Sequence, residues 1–376
     1  MHALLHNAIR DALSLVKKSN VNEATAVIRA ALLGNELDIS KCNPGPSPKL
    51  LSFTDLQRNK PFEVAPELTS TPILRNCEFP RPAAEREKRI NPEGNFSSRT
   101  YHHSERNLDY MLYVPSENGA RPQALLLMLH GCTQNPTDFA LGTQMNKLAD
   151  EFNFIVAYPS QPKTANSMGC WNWFDARHQK HSSGEPAMLA DLSEHLRQKF
   201  RVSKKRVFVA GLSAGGAMAE VLATIYPMQF AAAGVHSGLP YGAASSLSKA
   251  FEAMKGSGNV RPPMELHIAT HCRRIVFHGT ADATVHPSNG TRIVSDARIQ
   301  ANNLKEIKLT TRIDGRNIAV TILEDESRTP IVEHWVITGG RHAWSGGNEL
   351  GSFTDPKGPD ASREMVRFFL HTKSGG

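Results

Sequence analysis

The first chemistry legible in this chain is a serine set among glycines. Gly211-Leu212-Ser213-Ala214-Gly215-Gly216 follows the apolar run Val207-Phe208-Val209-Ala210 and precedes a helix-forming stretch. The G-x-S-x-G pattern thus lies in the strand, turn, helix context that presents a serine hydroxyl above a sheet. Glycines flank the serine because side chains in so tight a turn would collide with the neighbouring strand and helix. The competing reading is a Gly/Ser-rich turn with a capping serine. A serine hydroxyl is a poor nucleophile until a base takes its proton, so a histidine and an orienting carboxylate are expected later in the chain, in the order Ser, acid, His.

His342 is the best placed base. It lies in Gly339-Gly340-Arg341-His342-Ala343-Trp344-Ser345-Gly346-Gly347, a glycine-rich loop after the apolar run 334–338. His334 falls within that run, His371 in a terminal helix or tail, and His278 before a glycine at a strand end; these read as packed or solvated. For the carboxylate, Asp282 follows the apolar run 274–278, at the same sheet edge as Ser213. Its competing reading is a turn or helix-capping aspartate. Asp296 sits in a helical pattern and Asp314 and Asp325 in polar turns, as surface charges do. Attack on an acyl carbon also places negative charge on an oxygen that fixed N–H groups must meet. The amide of Ala214 is one expected donor. The amide of Cys132, in His130-Gly131-Cys132-Thr133-Gln134 after the run 124–129, is the other. A thiol role for Cys132 is the weaker alternative, because the serine already occupies the turn.

These residues need a frame. Strand candidates at 108–114, 124–129, 154–158, 206–210, 232–236, 274–278 and 334–338 alternate with helical patterns at 138–152, 186–200, 214–226, 243–254, 287–301 and 360–371. Near-continuous apolar strands separated by helices predict an α/β protein with a mainly parallel sheet covered on both faces, and ligands at the carboxyl ends of its strands. Ahead of it, apolar residues at helical spacing predict a hairpin over 1–34. Nine of the 23 prolines fall between Asn43 and Pro92, so 35–95 reads as a Pro-rich linker and 96–376 as the catalytic unit.

Composition narrows the partners. Of the net charge of +7, +3 falls in residues 1–100 and +4 in the rest, and no basic row is interleaved with aromatics, which argues against nucleic acid. No apolar run approaches the roughly 20 residues that span a bilayer, so no membrane span is expected. Charges at Arg10, Asp11, Lys17 and Lys18 interrupt every candidate export signal, which predicts a cytoplasmic protein. The five cysteines are widely spaced and form no metal-binding pattern, and the chemistry requires neither a metal nor an organic cofactor.

Taken in order, several blocks resemble the poly(3-hydroxybutyrate) depolymerase family of esterases, with feruloyl and acetylxylan esterases as relatives. They are His130 to Gln134, Gly169-Cys170-Trp171-Asn172-Trp173-Phe174, Gly211 to Gly216, the block beginning His236-Ser237-Gly238, His278-Gly279-Thr280-Ala281-Asp282, Pro287-Ser288-Asn289-Gly290 and His342 to Gly347. The resemblance implies an α/β-hydrolase fold and a serine carboxylesterase with Ser213, Asp282 and His342 as triad and Cys132 at the oxyanion position. The implied substrate is a short-chain hydroxyalkanoate polyester or oligomer. Feruloyl, acetylxylan or simple short-chain esters are the alternative, and acyl transfer a further one. An extracellular location is the alternative to the cytoplasm, as for many family members. Trp171, Trp173 and Trp344 are candidates to line an acyl pocket, with a core role the competing reading. Cys132 and Cys170, in two matching blocks, form a disulfide in an oxidising compartment and stay thiols in the cytosol. Arg341 departs from the pattern, which places glycine before the histidine. The chain also ends at Gly376 without the separate binding domain of granule-degrading members, so soluble esters are expected in preference to solid polymer.

Overall fold

The computed structural model describes residues 95–103, 106–116, 121–257, 272–300 and 303–370. The chain divides into two units, Met1–Asn76 and Cys77–Gly376, and every described residue lies in the second. The expected hairpin over 1–34 and all but the last residue of the expected linker over 35–95 lie outside the described residues.

Ten strands form one sheet: β1 (Asn95–His103), β2 (Arg106–Val114), β3 (Leu125–Leu129), β4 (Ile155–Pro159), β5 (Val207–Leu212), β6 (Ala232–His236), β7 (Arg273–Gly279), β8 (Lys305–Ile313), β9 (Arg316–Glu324) and β10 (Pro330–Ile337). Their order is β1-β2-β4-β3-β5-β6-β7-β10-β9-β8. The stretch from β4 to β10 is parallel, and the pairs β1-β2 and β9-β8 close the two sides antiparallel. A short pair, β11 (Trp344–Ser345) and β12 (Thr354–Asp355), lies in the histidine loop and the segment after it. Helices α1 (Pro136–Thr143), α2 (Met145–Phe152), α3 (Gly184–Lys199), α4 (Ala214–Ile225), α5 (Leu247–Met254), α6 (Ser288–Gln300) and α7 (Ala361–Leu370) complete the described unit.

The two-residue period of a strand divides the core in two. Leu125, Leu127, Leu129, Val207 and Val209 face one side and pack with Leu189, Leu192, Met218 and Leu222 of α3 and α4. Leu126, Met128, Phe208 and Ala210 face the other and pack with Phe139, Leu148, Met365 and Phe369 of α1, α2 and α7. Both faces are covered by helices, as continuous apolar runs require.

Two differences from the sequence reading have local causes. The pattern over 138–152 is two helices, because Gln144 adopts φ 55° and ends α1 with its N–H on the carbonyl of Ala140. The region read as polar turns is the hairpin β8-β9, joined by Asp314 (φ 48°) and Gly315 (φ 81°), both left-handed as a tight hairpin turn demands.

Candidate active site

Ser213 stands between β5 and α4 with φ 56° and ψ −118°, a conformation most side chains avoid. Its N–H donates to the carbonyl of His236, and its own carbonyl accepts the N–H of Ala217. The turn is this sharp because α4 begins almost in contact with β3: a Cβ on Gly215 would sit 2.0 Å from the carbonyl oxygen of Leu129. The flanking glycines are therefore steric necessities, as the sequence indicated.

Asp282 lies in the loop after β7. Its Oδ1 accepts the N–H groups of Thr284 (2.9 Å) and Val285 (2.8 Å), and its Oδ2 lies 2.8 Å from Nδ1 of His342. His278 Nε2 is 3.5 Å from the same Oδ2 and bonds the carbonyl of Val285 at 2.9 Å. Burial opposes ionisation of Asp282, but hydrogen bonds from His278, His342 and the Val285 amide outweigh it and hold the carboxyl well below the usual carboxylate range. The ionised carboxylate fixes the proton of His342 on Nδ1 and leaves the lone pair on Nε2.

The acid and histidine loops are locked together. Ala281 N–H donates to Gly340 O (2.9 Å), Thr280 N–H to Ile337 O (2.9 Å) and Gly339 N–H to the Thr280 hydroxyl (2.9 Å). His236 joins this pair of loops to the serine turn. Its carbonyl holds Ser213 N–H, while its ring stacks between Phe277 and Trp344 and its Nε2 accepts the N–H of Ser345 at 3.0 Å. Burial, with His278 and His342 nearby, lowers its pKa to about 3, so this ring stays neutral and an acceptor. Sequence reading included His236 in a matching block but gave it no role. Its signal is its position at the end of the strand beside the one that leads into Ser213.

The loop after β3 reaches the serine from the other side: a Cβ on Gly131 would lie 3.7 Å from the Cβ of Ser213. Gln134 Oε1 accepts the N–H of Gly131 (2.9 Å), while its Nε2 donates to Asp138 (3.0 Å) and to Ser352 O (2.9 Å). Thr133, at φ 66°, donates its N–H to Met168 O. Cys132 and Cys170 are joined as a disulfide, with Cα atoms 4.3 Å apart, so the pairing left open by the sequence is formed. Ala214 opens α4 directly after Ser213.

Trp171, Trp173 and Trp344 are 0, 4 and 1% exposed and pack into the two cores, in keeping with the competing core reading of these rings. Arg341 is exposed with an ordinary φ, so its position makes no demand for glycine.

Residues 108–317 match the family model described as Esterase PHB depolymerase. The chain belongs to this family. It is 29% identical over 262 residues to poly(3-hydroxyalkanoate) depolymerase C of Paucimonas lemoignei, covering 65% of this chain and 62% of that protein. It is 27% identical over 224 residues to feruloyl esterase B of Neurospora crassa, covering 56 and 74%. It is also 28% identical over 193 residues to a probable acetylxylan esterase A of Aspergillus fumigatus, covering 47 and 51%. The family member thus spans less than two thirds of the depolymerase. Among solved structures, an acetyl xylan esterase from Aspergillus awamori superposes with a TM-score of 0.54 at 22% identity, over 70% of this chain and 93% of the other. That likeness, with the sheet described above, establishes the α/β-hydrolase fold. No helix among the described residues is long and apolar enough to cross a membrane.

Proposed function

We propose that this chain is a serine carboxylester hydrolase acting on short-chain hydroxyalkanoate esters of the 3-hydroxybutyrate type, as oligomers or polyester. The observation that carries the reading is the 2.8 Å contact of Asp282 Oδ2 with His342 Nδ1, on two interlocked loops tied through His236 to the strained Ser213 turn. In this reading His342, oriented by Asp282, takes the proton of Ser213 as its Oγ attacks the ester carbonyl. The amides of Cys132 and Ala214 receive the oxyanion, and His342 returns the proton to the leaving alcohol. Water, activated by the same histidine, then releases the acid from the acyl-enzyme. The substrate class is supported by the family and by the similarity to the depolymerase. The match over 74% of the length of feruloyl esterase B supports feruloyl esters as a second reading.

Replacing Ser213 with Ala is expected to reduce hydrolysis of p-nitrophenyl butyrate by about 10⁴-fold or more with the fold retained by circular dichroism. Substantial activity in that variant would overturn the assignment. Rates on 3-hydroxybutyrate trimers, methyl ferulate and acetylated xylan rank the two substrate readings.

A further inference from the structure

Glu185 is a buried carboxylate that the mechanism above does not use. It is the second residue of α3 and 3% exposed. Its Oε1 accepts hydrogen bonds from Gln161 Nε2 and Asn172 Nδ2, both at 2.6 Å, and its Oε2 accepts the backbone N–H of Asn172 at 2.8 Å. Nδ1 of His178 accepts the N–H of Glu185 (3.1 Å) and lies 3.5 Å from the carboxylate. Burial opposes its ionisation, but contacts with His178, Gln161 and Asn172 offset that and hold the carboxyl below its ordinary range. The first turn of a helix also favours negative charge. A buried charge is expensive, and a core that needed only volume at this point would be better served by an apolar side chain.

What the charge holds is the oxyanion loop, by two routes. In the first, Gln161 Nε2 also donates to Cys170 O (2.9 Å), and Gln161 N–H donates to Nε2 of His130 (3.2 Å), the residue before Gly131. Gln161 commits its amide hydrogens to these acceptors while its Oε1 is left buried without a hydrogen-bond partner, a cost that a side chain placed only for solubility would escape. In the second, Asn172 Oδ1 accepts from Asn166 Nδ2 (2.9 Å), and Asn166 Oδ1 accepts the N–H groups of Met168 (3.0 Å) and Cys170 (3.3 Å). Met168 O in turn holds Thr133 N–H at 2.8 Å. The first route ends on His130, two residues before Cys132, and on Cys170, its disulfide partner; the second ends on Thr133, beside Cys132, and again on Cys170.

We infer that Glu185 is a positioning residue for the reaction: its carboxylate organises segment 160–174 so that this segment holds the Cys132 amide where the oxyanion develops. This inference rests on the functional reading above. A donor aimed at the oxyanion acts in the transition state and little in substrate binding, so its misplacement lowers kcat and leaves KM.

The test uses the full chain, p-nitrophenyl butyrate as substrate and butylboronic acid as a tetrahedral mimic captured by Ser213. Removing an oxyanion donor outright costs about 10²–10³ in kcat, so Glu185→Gln, which displaces one, is expected to lower kcat by about tenfold, with KM changed less than about twofold. Boronate affinity is expected to weaken by the same factor as kcat/KM, and Glu185→Asp to recover part of the loss. Asn172→Ala, which removes one side-chain donor and the link to Asn166, is expected to move the same quantities by a smaller factor. Wild-type kcat and boronate affinity in a folded Glu185→Gln, or a loss confined to melting temperature, would overturn the inference. If that variant does not fold, the same result in Asn172→Ala overturns it. A native enzyme inactive on the ester, or an active Ser213→Ala, would instead remove the functional reading on which the inference rests.

Discussion

Strands β3 to β6 are buried at every residue, whereas β8 and β9, in the same sheet, alternate between exposed and covered positions. The buried strands carry the loops with Cys132, Ser213 and, one strand further, Asp282; the β8-β9 hairpin carries none of the candidate residues. Helices on both faces of the centre leave only the strand ends open, and every open end becomes a place to present a side chain. The flank meets solvent along its length and manages its edge with Lys305, Lys308 and Arg312. Rigidity at the centre comes from steric exclusion, and order at the flank from a turn.

A pair of glycines tests that contrast most sharply. Gly215→Ala in the centre places a methyl carbon against the carbonyl of Leu129, and is expected to cost about 3 kcal/mol or more and to abolish ester hydrolysis, measured by chemical denaturation and p-nitrophenyl butyrate turnover. A variant that folds and turns over normally would show that the turn has room to relax. Similar in size for stability, Arg274→Leu on β7 strands Glu220 of α4, whose carboxylate lies 3.3 Å from the buried guanidinium; a loss of about 3–5 kcal/mol is expected, again by denaturation.

The flank responds less. Gly315 has open space around the position of a Cβ, so Gly315→Ala meets only the penalty of its φ of 81°, about 1 kcal/mol, with turnover unchanged. Smallest of all, Lys308→Ala removes an exposed ion pair with Glu306 (2.7 Å) and is expected to leave the melting temperature where it was. A large effect of either flank change on kcat would mean that the hairpin communicates with the active turn, contrary to the division drawn above.

Legibility in the sequence followed the same division. The seven central and near-central strands announced themselves as apolar runs, because burial on both faces removes polar residues from them. The flank was missed: alternation in Lys305-Glu306-Ile307-Lys308-Leu309 and the Asp314-Gly315 turn were its signals, but Thr and charged residues blurred the period. At the site, glycines and spacing were sufficient to single out Ser213, Asp282 and His342 as candidates. For the tryptophans the sequence left pocket and core as alternatives, because residue type does not say which way a ring faces; all three rings are buried among core side chains. Gln134, His236 and Glu185 had no assigned role because their partners lie far off in sequence; Glu185 meets Gln161 24 residues away and His236 meets Ser345 109 residues away.

The sequence by itself determined the parallel α/β sheet and the turn that strains Ser213, since these depend on local sterics and on the periodicity of apolar residues. Tertiary structure alone decided which histidine bonds Asp282, that Cys132 and Cys170 are joined, and that a buried glutamate anchors the loop opposite the serine. Hydrogen bonds and disulfides between distant segments depend on distances that only the packed sheet sets, and no local pattern encodes them.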